Sequence, residues 1–238
     1  MLVLGFLLFS RLHAAAGTSR AAATANARHL QSVERVLHLD VEPAANRWLA
    51  GHPALIQPAV YCYRLYYAVL LGVLVWVYVR HTEVYRQVRR TLLAMAVLVL
   101  PVFWALPMSP PRFALPGVVD VVAEHDLFGS TASRDLGNGQ NHFSAMPSMH
   151  VGWSLWCAYA VWLALRATHP RAALLVWAFP LVMTAVVLTT GNHYVLDVAG
   201  SAALLAIAAG VAARIGSGER ARVAGPVAQE QQNERQQE

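Results

Sequence analysis

The sequence predicts an all-α membrane protein, a polytopic helix bundle of about six spans. Three observations carry this. Of 238 residues, 57% are hydrophobic and only 13% charged, against about 25% charged in an ordinary soluble domain. The apolar residues gather in runs close to the roughly 20 residues that a bilayer core requires. The eighteen basic side chains are all arginine, and they flank those runs as membrane anchoring expects. The same scatter argues against a nucleic-acid partner, which needs a clustered basic face. Cys62 and Cys157 both lie inside apolar runs and read as small core residues rather than a disulfide.

The elements follow in order. Leu2 to Phe9 is apolar but short, and Ser10, Arg11 and His13 come after it. A signal peptide carries its charge before the apolar stretch, so a first span, shortened at its start, is expected here. From Gly17 to His52 the chain is polar, and Leu30, Val33 and Leu37 recur at helical spacing, which predicts an interfacial amphipathic helix. Three spans stand out, Ala54 to Val79, Leu92 to Leu106 and His150 to Leu165. The last is short unless its start is buried in protein. Two more follow, Ala172 to Thr189 and Val195 to Ala213. The organisation is then residues 1–29, an N-terminal span and polar link; 30–214, the membrane domain; and 215–238, a polar tail expected to be disordered.

Orientation comes from the arginines. Arg80, Arg86, Arg89 and Arg90 fall in one link, Arg166 and Arg171 in another, and Arg214, Arg220 and Arg222 in the tail. Six spans put all three on one side, which the positive-inside rule makes cytoplasmic. The loop from Pro107 to Met149 and the short link from Thr190 to Tyr194 then face outward. Arg20, Arg28, Arg35 and Arg47 count against this orientation.

Two polar clusters end spans on that outer face. Asn141 to His150 reads Asn-His-Phe-Ser-Ala-Met-Pro-Ser-Met-His and runs into an apolar helix. Thr190 to Asp197 reads Thr-Gly-Asn-His-Tyr-Val-Leu-Asp and opens another. Ionisable groups at membrane depth are expensive and mark function. His193 and Asp197 are four apart, so on a helix they share a face. A carboxylate that receives one ring N–H leaves the other nitrogen's lone pair free to attack. His150 falls in a first helical turn behind Pro147 and Ser148, where a proline suits the start and a serine the cap. Free N–H groups at such an end favour an anion, most simply phosphate. Arg112, behind Pro110 and Pro111, offers a planar fork for phosphate oxygens.

These residues resemble the phosphatidic acid phosphatase type 2 superfamily. Pro147-Ser148-Met149-His150 is similar to its second motif and His193-x-x-x-Asp197 to the end of its third, while Pro110-Pro111-Arg112 occupies the place of its first. The wording His-Val-Gly-Trp after the second motif, and Thr-Gly-Asn-His-Tyr before the final aspartate, is similar to the branch containing fungal inositol phosphorylceramide synthases. The resemblance covers roughly Leu30 to Ala213.

The resemblance implies a bundle with a phosphatidic acid phosphatase type 2 / vanadium haloperoxidase-like core, acting on a phospholipid or a polyprenyl or other lipid phosphate within the bilayer. It implies that His193 attacks phosphorus and becomes phosphohistidine, with Asp197 orienting it. His150 protonates the leaving alcohol and later activates water or an acceptor. Arg112 binds phosphate, and Ser148 and Gly191 line the site. The scheme needs no metal or cofactor, because positive groups and helix ends offset the charge. The chain departs from many of these phosphatases in having no lysine in the first motif, and in having Val187 six residues before His193 where a Ser-Arg pair is usual. Asn141, Asn192, Tyr194 or Arg134 are then expected to share the work. The shortage of cations puts simple phosphatidic acid hydrolysis in doubt and suits a transferase.

Other readings compete. A non-catalytic lipid-phosphate binding or transport protein could retain such a pocket, but transporters place polar groups at the midplane, and here they stand at span ends. A metallohydrolase could use His142 with His150, but no His-Glu-x-x-His helix appears, so no metal site is expected. His13, His29, His38, His52, His81, His125 and His169 lack motif context and are expected at the surface or interface. Tyr61, Tyr63, Tyr66, Tyr67, Trp76 and Tyr78 are expected to anchor and pack their span.

Overall fold

Among the described residues, eleven helices follow in chain order: α1 (Leu2–Ala15), α2 (Arg20–Val36), α3 (Glu42–Ala50), α4 (Pro53–Arg80), α5 (Thr82–Ala105), α6 (Pro111–Ala114), α7 (Val121–Glu124), α8 (Met149–Leu165), α9 (Pro170–Leu175), α10 (Ala178–Thr189) and α11 (Val195–Arg235). The structure is a computed structural model that describes residues 2–17, 19–125 and 141–235. Arg134, one of the expected phosphate partners, lies outside the described residues.

Among the described residues, four stretches are long and apolar enough to cross a bilayer: Pro53–Arg80, Thr82–Ala105, Pro170–Thr189 and Val195–Glu219. They mark the chain as an integral membrane protein. The expected six spans are not reached by this measure, for two different reasons. α1 has only 14 residues. α8 has 17 and is the hub of the bundle, packing against α4, α5, α10 and α11. Its Val151, Trp156, Cys157 and Ala160 are buried, so it begins within protein rather than at a membrane surface.

The main core gathers Val88, Met95, Val99 and Phe103 of α5, Met183 and Val187 of α10, and Ala208 of α11 around α8. The indole N–H of Trp156 donates to the Val88 carbonyl at 3.1 Å, so the largest buried side chain also satisfies its polar atom. The opposite helix faces expose Leu71, Val75, Val97, Leu181 and Ile207, which suits contact with lipid chains. Cys62 and Cys157 are free thiols.

α2 is the expected amphipathic helix, capped by Ser19, whose hydroxyl accepts from the Ala22 N–H at 3.3 Å. Its buried face differs from the one the apolar spacing predicts. Ala23, Ala27, Leu30 and Glu34 point inward, while Val33 is exposed. A carboxylate-to-amide contact with α11, described below, sets that rotation. α11 runs from Val195 to Arg235. An ion pair between Arg90 and Glu219 joins α11 to α5.

Candidate active site

Backbone hydrogen bonds lace three segments together. The Met108 N–H donates to the Phe143 carbonyl at 2.7 Å, and the Ala145 N–H to the Met108 carbonyl at 3.1 Å. The Arg112 N–H donates to the Gly191 carbonyl at 2.9 Å, and the Ser148 N–H to the Asp197 carbonyl at 3.2 Å. The Ser201 hydroxyl lies 2.7 Å from the Ser148 carbonyl and 2.8 Å from the Asp197 carbonyl. Segments far apart in sequence therefore meet as one rigid polar cap over the bundle.

His193 is held from behind. Its Nδ1 lies 2.9 Å from the Ala145 carbonyl and 3.2 Å from Asp197 Oδ2. Both neighbours are acceptors, so Nδ1 carries the proton and Nε2 keeps its lone pair. Asp197 Oδ2 also accepts the Tyr194 N–H at 2.9 Å, and the carboxylate is wholly buried. His150 stands in the first turn of α8, its ring 5.9 Å from that of His193. The ring stacks on Tyr63 at 4.0 Å and leans on Tyr66 at 4.5 Å.

Arg112 sits in α6, which opens on Pro111. Its Nε lies 3.2 Å from Asp120 Oδ2, a carboxylate that also caps α7 by accepting the Ala123 N–H at 3.1 Å. Its Nη1 donates to Asn192 Oδ1, which receives the Tyr63 hydroxyl as well, at 3.2 Å. Asn192 is buried, and its amide donates to the Thr190 hydroxyl at 2.8 Å.

A cavity of about 490 Å³ joins these groups, and Arg112, Asn141, His150, Asn192 and His193 all line it. Asp197 lies behind His193. Ser148 and Gly191 lie outside the lining. Ser148 is buried as the cap of α8, its hydroxyl accepting the Val151 N–H at 3.4 Å. Gly191 has φ +72°, and a Cβ there would fall 2.6 Å from Val118 Cγ1. Asn141 ties the cavity to α1, donating to the carbonyls of His13 at 2.9 Å and Ala16 at 2.6 Å. Tyr194 is buried in a separate cluster with Leu30 and Met108.

Several residues on or under the site escaped the sequence reading. His13, expected at the surface, lines the cavity with its Nε2 2.8 Å from Ser144 Oγ. Tyr63, Arg64 and Tyr66 bring α4 into the wall. Arg64 corrects the expectation that arginines only flank apolar runs, since it is the one charged residue between Ala54 and Val79. Its signal in the sequence is that isolation.

Beneath Asp197 lie two more buried acids. Glu42 Oε1 accepts the Val195 N–H at 3.0 Å and Glu34 Oε1 the Leu196 N–H at 2.7 Å. They cap the start of α11 by accepting two of the N–H groups that have no partner within the helix. Burial, with the charges of Glu42 and Asp197, pushes the Glu34 carboxyl up to about 8. Burial likewise raises Glu42. Among the described residues, no three His, Cys, Asp or Glu side chains gather as a metal site.

The apolar bundle thus carries a pocket lined by His150, His193 and Arg112. The family model of the PAP2 superfamily matches residues 28–211. The chain belongs to the PAP2 superfamily, whose members are generally phosphoesterases. No curated protein and no solved structure matches the chain.

Proposed function

We propose that the protein is an integral membrane lipid-phosphate phosphatase or lipid-headgroup phosphotransferase that works through a phosphohistidine on His193. The observation that carries the reading is the clamp on His193 Nδ1 by Ala145 and Asp197, which leaves Nε2 as the lone-pair nitrogen in a cavity shared with His150 and Arg112. In the first step Nε2 forms a bond to phosphorus as the bond to the leaving alkoxide breaks, and His150 gives the alkoxide its proton. In the second, His150 takes a proton from water or an acceptor alcohol, whose oxygen attacks phosphorus and releases His193. Asp197 stabilises the imidazolium character that develops on His193.

The lipid phosphate enters at the outer face, its chains remaining in the bilayer. The aromatic wall of Phe9, Tyr66, Phe103 and Trp153 supports an apolar substrate portion beside the phosphate. The test is release or transfer of radiolabelled phosphate from a mixed lipid extract in the presence of chelator. Wild type is expected to be active and His193→Ala inactive, with Asp197→Asn slowed on the order of 10⁴-fold, because the amide imposes the wrong tautomer. Full activity in His193→Ala removes the phosphohistidine reading. The chemical identity of the labelled product separates hydrolysis from transfer, including transfer of an inositol phosphate headgroup.

A further inference from the structure

We propose that Glu34 and Glu42 are positioning residues for His193, acting together as a carboxyl pair that shares one proton. The inference rests on the phosphohistidine reading above and extends it to α2 and α3, which carry none of the three motifs.

Geometry sets the two carboxyls side by side. The N–H groups of Val195 and Leu196 are consecutive along the chain, and each is held by one of the pair, at 3.0 Å by Glu42 Oε1 and at 2.7 Å by Glu34 Oε1. Both side chains are fully buried. The chain reversal between their helices delivers them there. His38 takes φ +57°, the Leu39 N–H returns to the Glu34 carbonyl at 2.8 Å, and Glu42 opens α3.

The second oxygen of each carboxyl, Oε2, is buried too, and among the described residues no donor reaches it. Two ionised carboxylates cannot bond to one another, because neither has a hydrogen to give. With one proton between them, one carboxyl donates to the other, and the hydrogen bond between Glu34 and Glu42 then has its donor. Asp197 also acts on both, and Tyr194 stands among all three acids. The shared proton leaves one negative charge on the pair instead of two, where buried like charges are strongly disfavoured. Burial raises both carboxyls, as holding a proton requires.

The consequence falls on His193. Val195 and Leu196 lie between His193 and Asp197, so fixing their N–H groups fixes the turn in which Asp197 Oδ2 meets His193 Nδ1 at 3.2 Å and the Tyr194 N–H at 2.9 Å. Those N–H groups have no partner within α11. Without the pair, the turn that orients the nucleophile loses its anchor.

The test reads two signals from the purified full chain in detergent at neutral pH. One is the His193 Nδ1–H proton resonance, assigned by its absence in His193→Ala. The other is the infrared C=O band of a protonated carboxyl. Wild type is expected to show both. Glu34→Gln and Glu42→Gln each put an amide N–H where the shared proton was, so each should lose the band and keep the resonance. Glu34→Leu and Glu42→Leu should lose the resonance and lower kcat on the order of 10²-fold, the cost of a misplaced catalytic group, with KM little changed; glutamine should restore most of that kcat. The proposal is overturned by a wild type without the band, by a band that survives in both glutamine variants, or by leucine variants that keep the resonance. Should the leucine variants fail to fold, the glutamine variants decide alone: a lost band with the resonance kept upholds the pair, and a persistent band ends it. Lipid turnover separates the two readings, since a wild type with both signals and no turnover ends the phosphohistidine reading and leaves the pair standing.

Discussion

The backbone N–H of Arg112 donates to the carbonyl of Gly191 at 2.9 Å, so the first and third polar segments share a hydrogen bond two residues from the histidine that would attack phosphorus. Gly191 can present that carbonyl because its φ is +72°. Replacing it with alanine forces an L-residue into the left-handed region, at about 1–2 kcal/mol, and drives a Cβ to 2.6 Å from Val118 Cγ1. Asn46 resists any shift of that loop, since its side chain bonds Val119 at both N–H and carbonyl and also the Thr189 carbonyl. Gly191→Ala is therefore expected to lower the melting temperature in detergent and to weaken substrate binding through a displaced Arg112. A variant as stable and active as wild type would show that the strain is not there.

His150 is assigned as the acid that protonates the leaving group, and leaving-group chemistry can check this. His150→Ala should slow an alkyl phosphate ester roughly 10²–10⁴-fold, the usual range for losing a general acid. An aryl ester with an acidic nitrophenol leaving group needs no such proton. Its first step, read as the burst of nitrophenol, should be far less affected. Equal losses on both substrates would mean that His150 acts by some other route.

Tyr63 supports His150 by stacking and Asn192 by hydrogen bonding, and the two roles separate by substitution. Tyr63→Phe keeps the ring and removes a bond to Asn192 Oδ1 of 3.2 Å, a loss of about 1 kcal/mol. That corresponds to roughly a fivefold rise in KM. Tyr63→Ala also removes the ring on which His150 rests at 4.0 Å, worth about another 0.5–1.5 kcal/mol. It should lower kcat as well as raise KM. If phenylalanine and alanine behave alike, stacking does not position His150.

Glu34 makes stability depend on pH. Its carboxyl is raised from about 4.5 to about 8 in the folded protein by burial and the neighbouring carboxylates, so the folded state holds a proton that the unfolded state has lost. Between those values stability must fall as pH rises, and the full benefit is present only below the unfolded value. Thermal unfolding from pH 5 to pH 9 should show this decline. In Glu34→Gln, which keeps an oxygen for the Leu196 N–H, the slope should be shallower. Identical slopes would place the proton elsewhere.

Much of the site could be read along the chain. His150, His193, Asp197 and Arg112 stood out because ionisable residues at the ends of apolar runs need a reason, and their spacing supplied one. The structure brings His150, His193 and Arg112 to one cavity, with Asp197 directly behind. Other partners were not legible because their contacts cross the fold. Nothing local to Glu34 or Glu42 announces that they cap a helix beginning at Val195, and Asp120 gains meaning only where Arg112 comes to rest. His13 and Tyr63 looked like interfacial residues until α1 and α4 closed around the pocket.

The sequence by itself determined that the chain is a membrane protein and which histidines stand at the ends of its apolar runs, because hydrophobic run length and i,i+4 spacing are local properties of the chain. Only the tertiary structure decided how many helices are long enough to span, which side of α2 is buried, and which arginine, tyrosine and carboxylates complete the site. Those outcomes depend on burial and on long-range hydrogen bonds, such as Leu196 to Glu34, that exist only after the helices have packed.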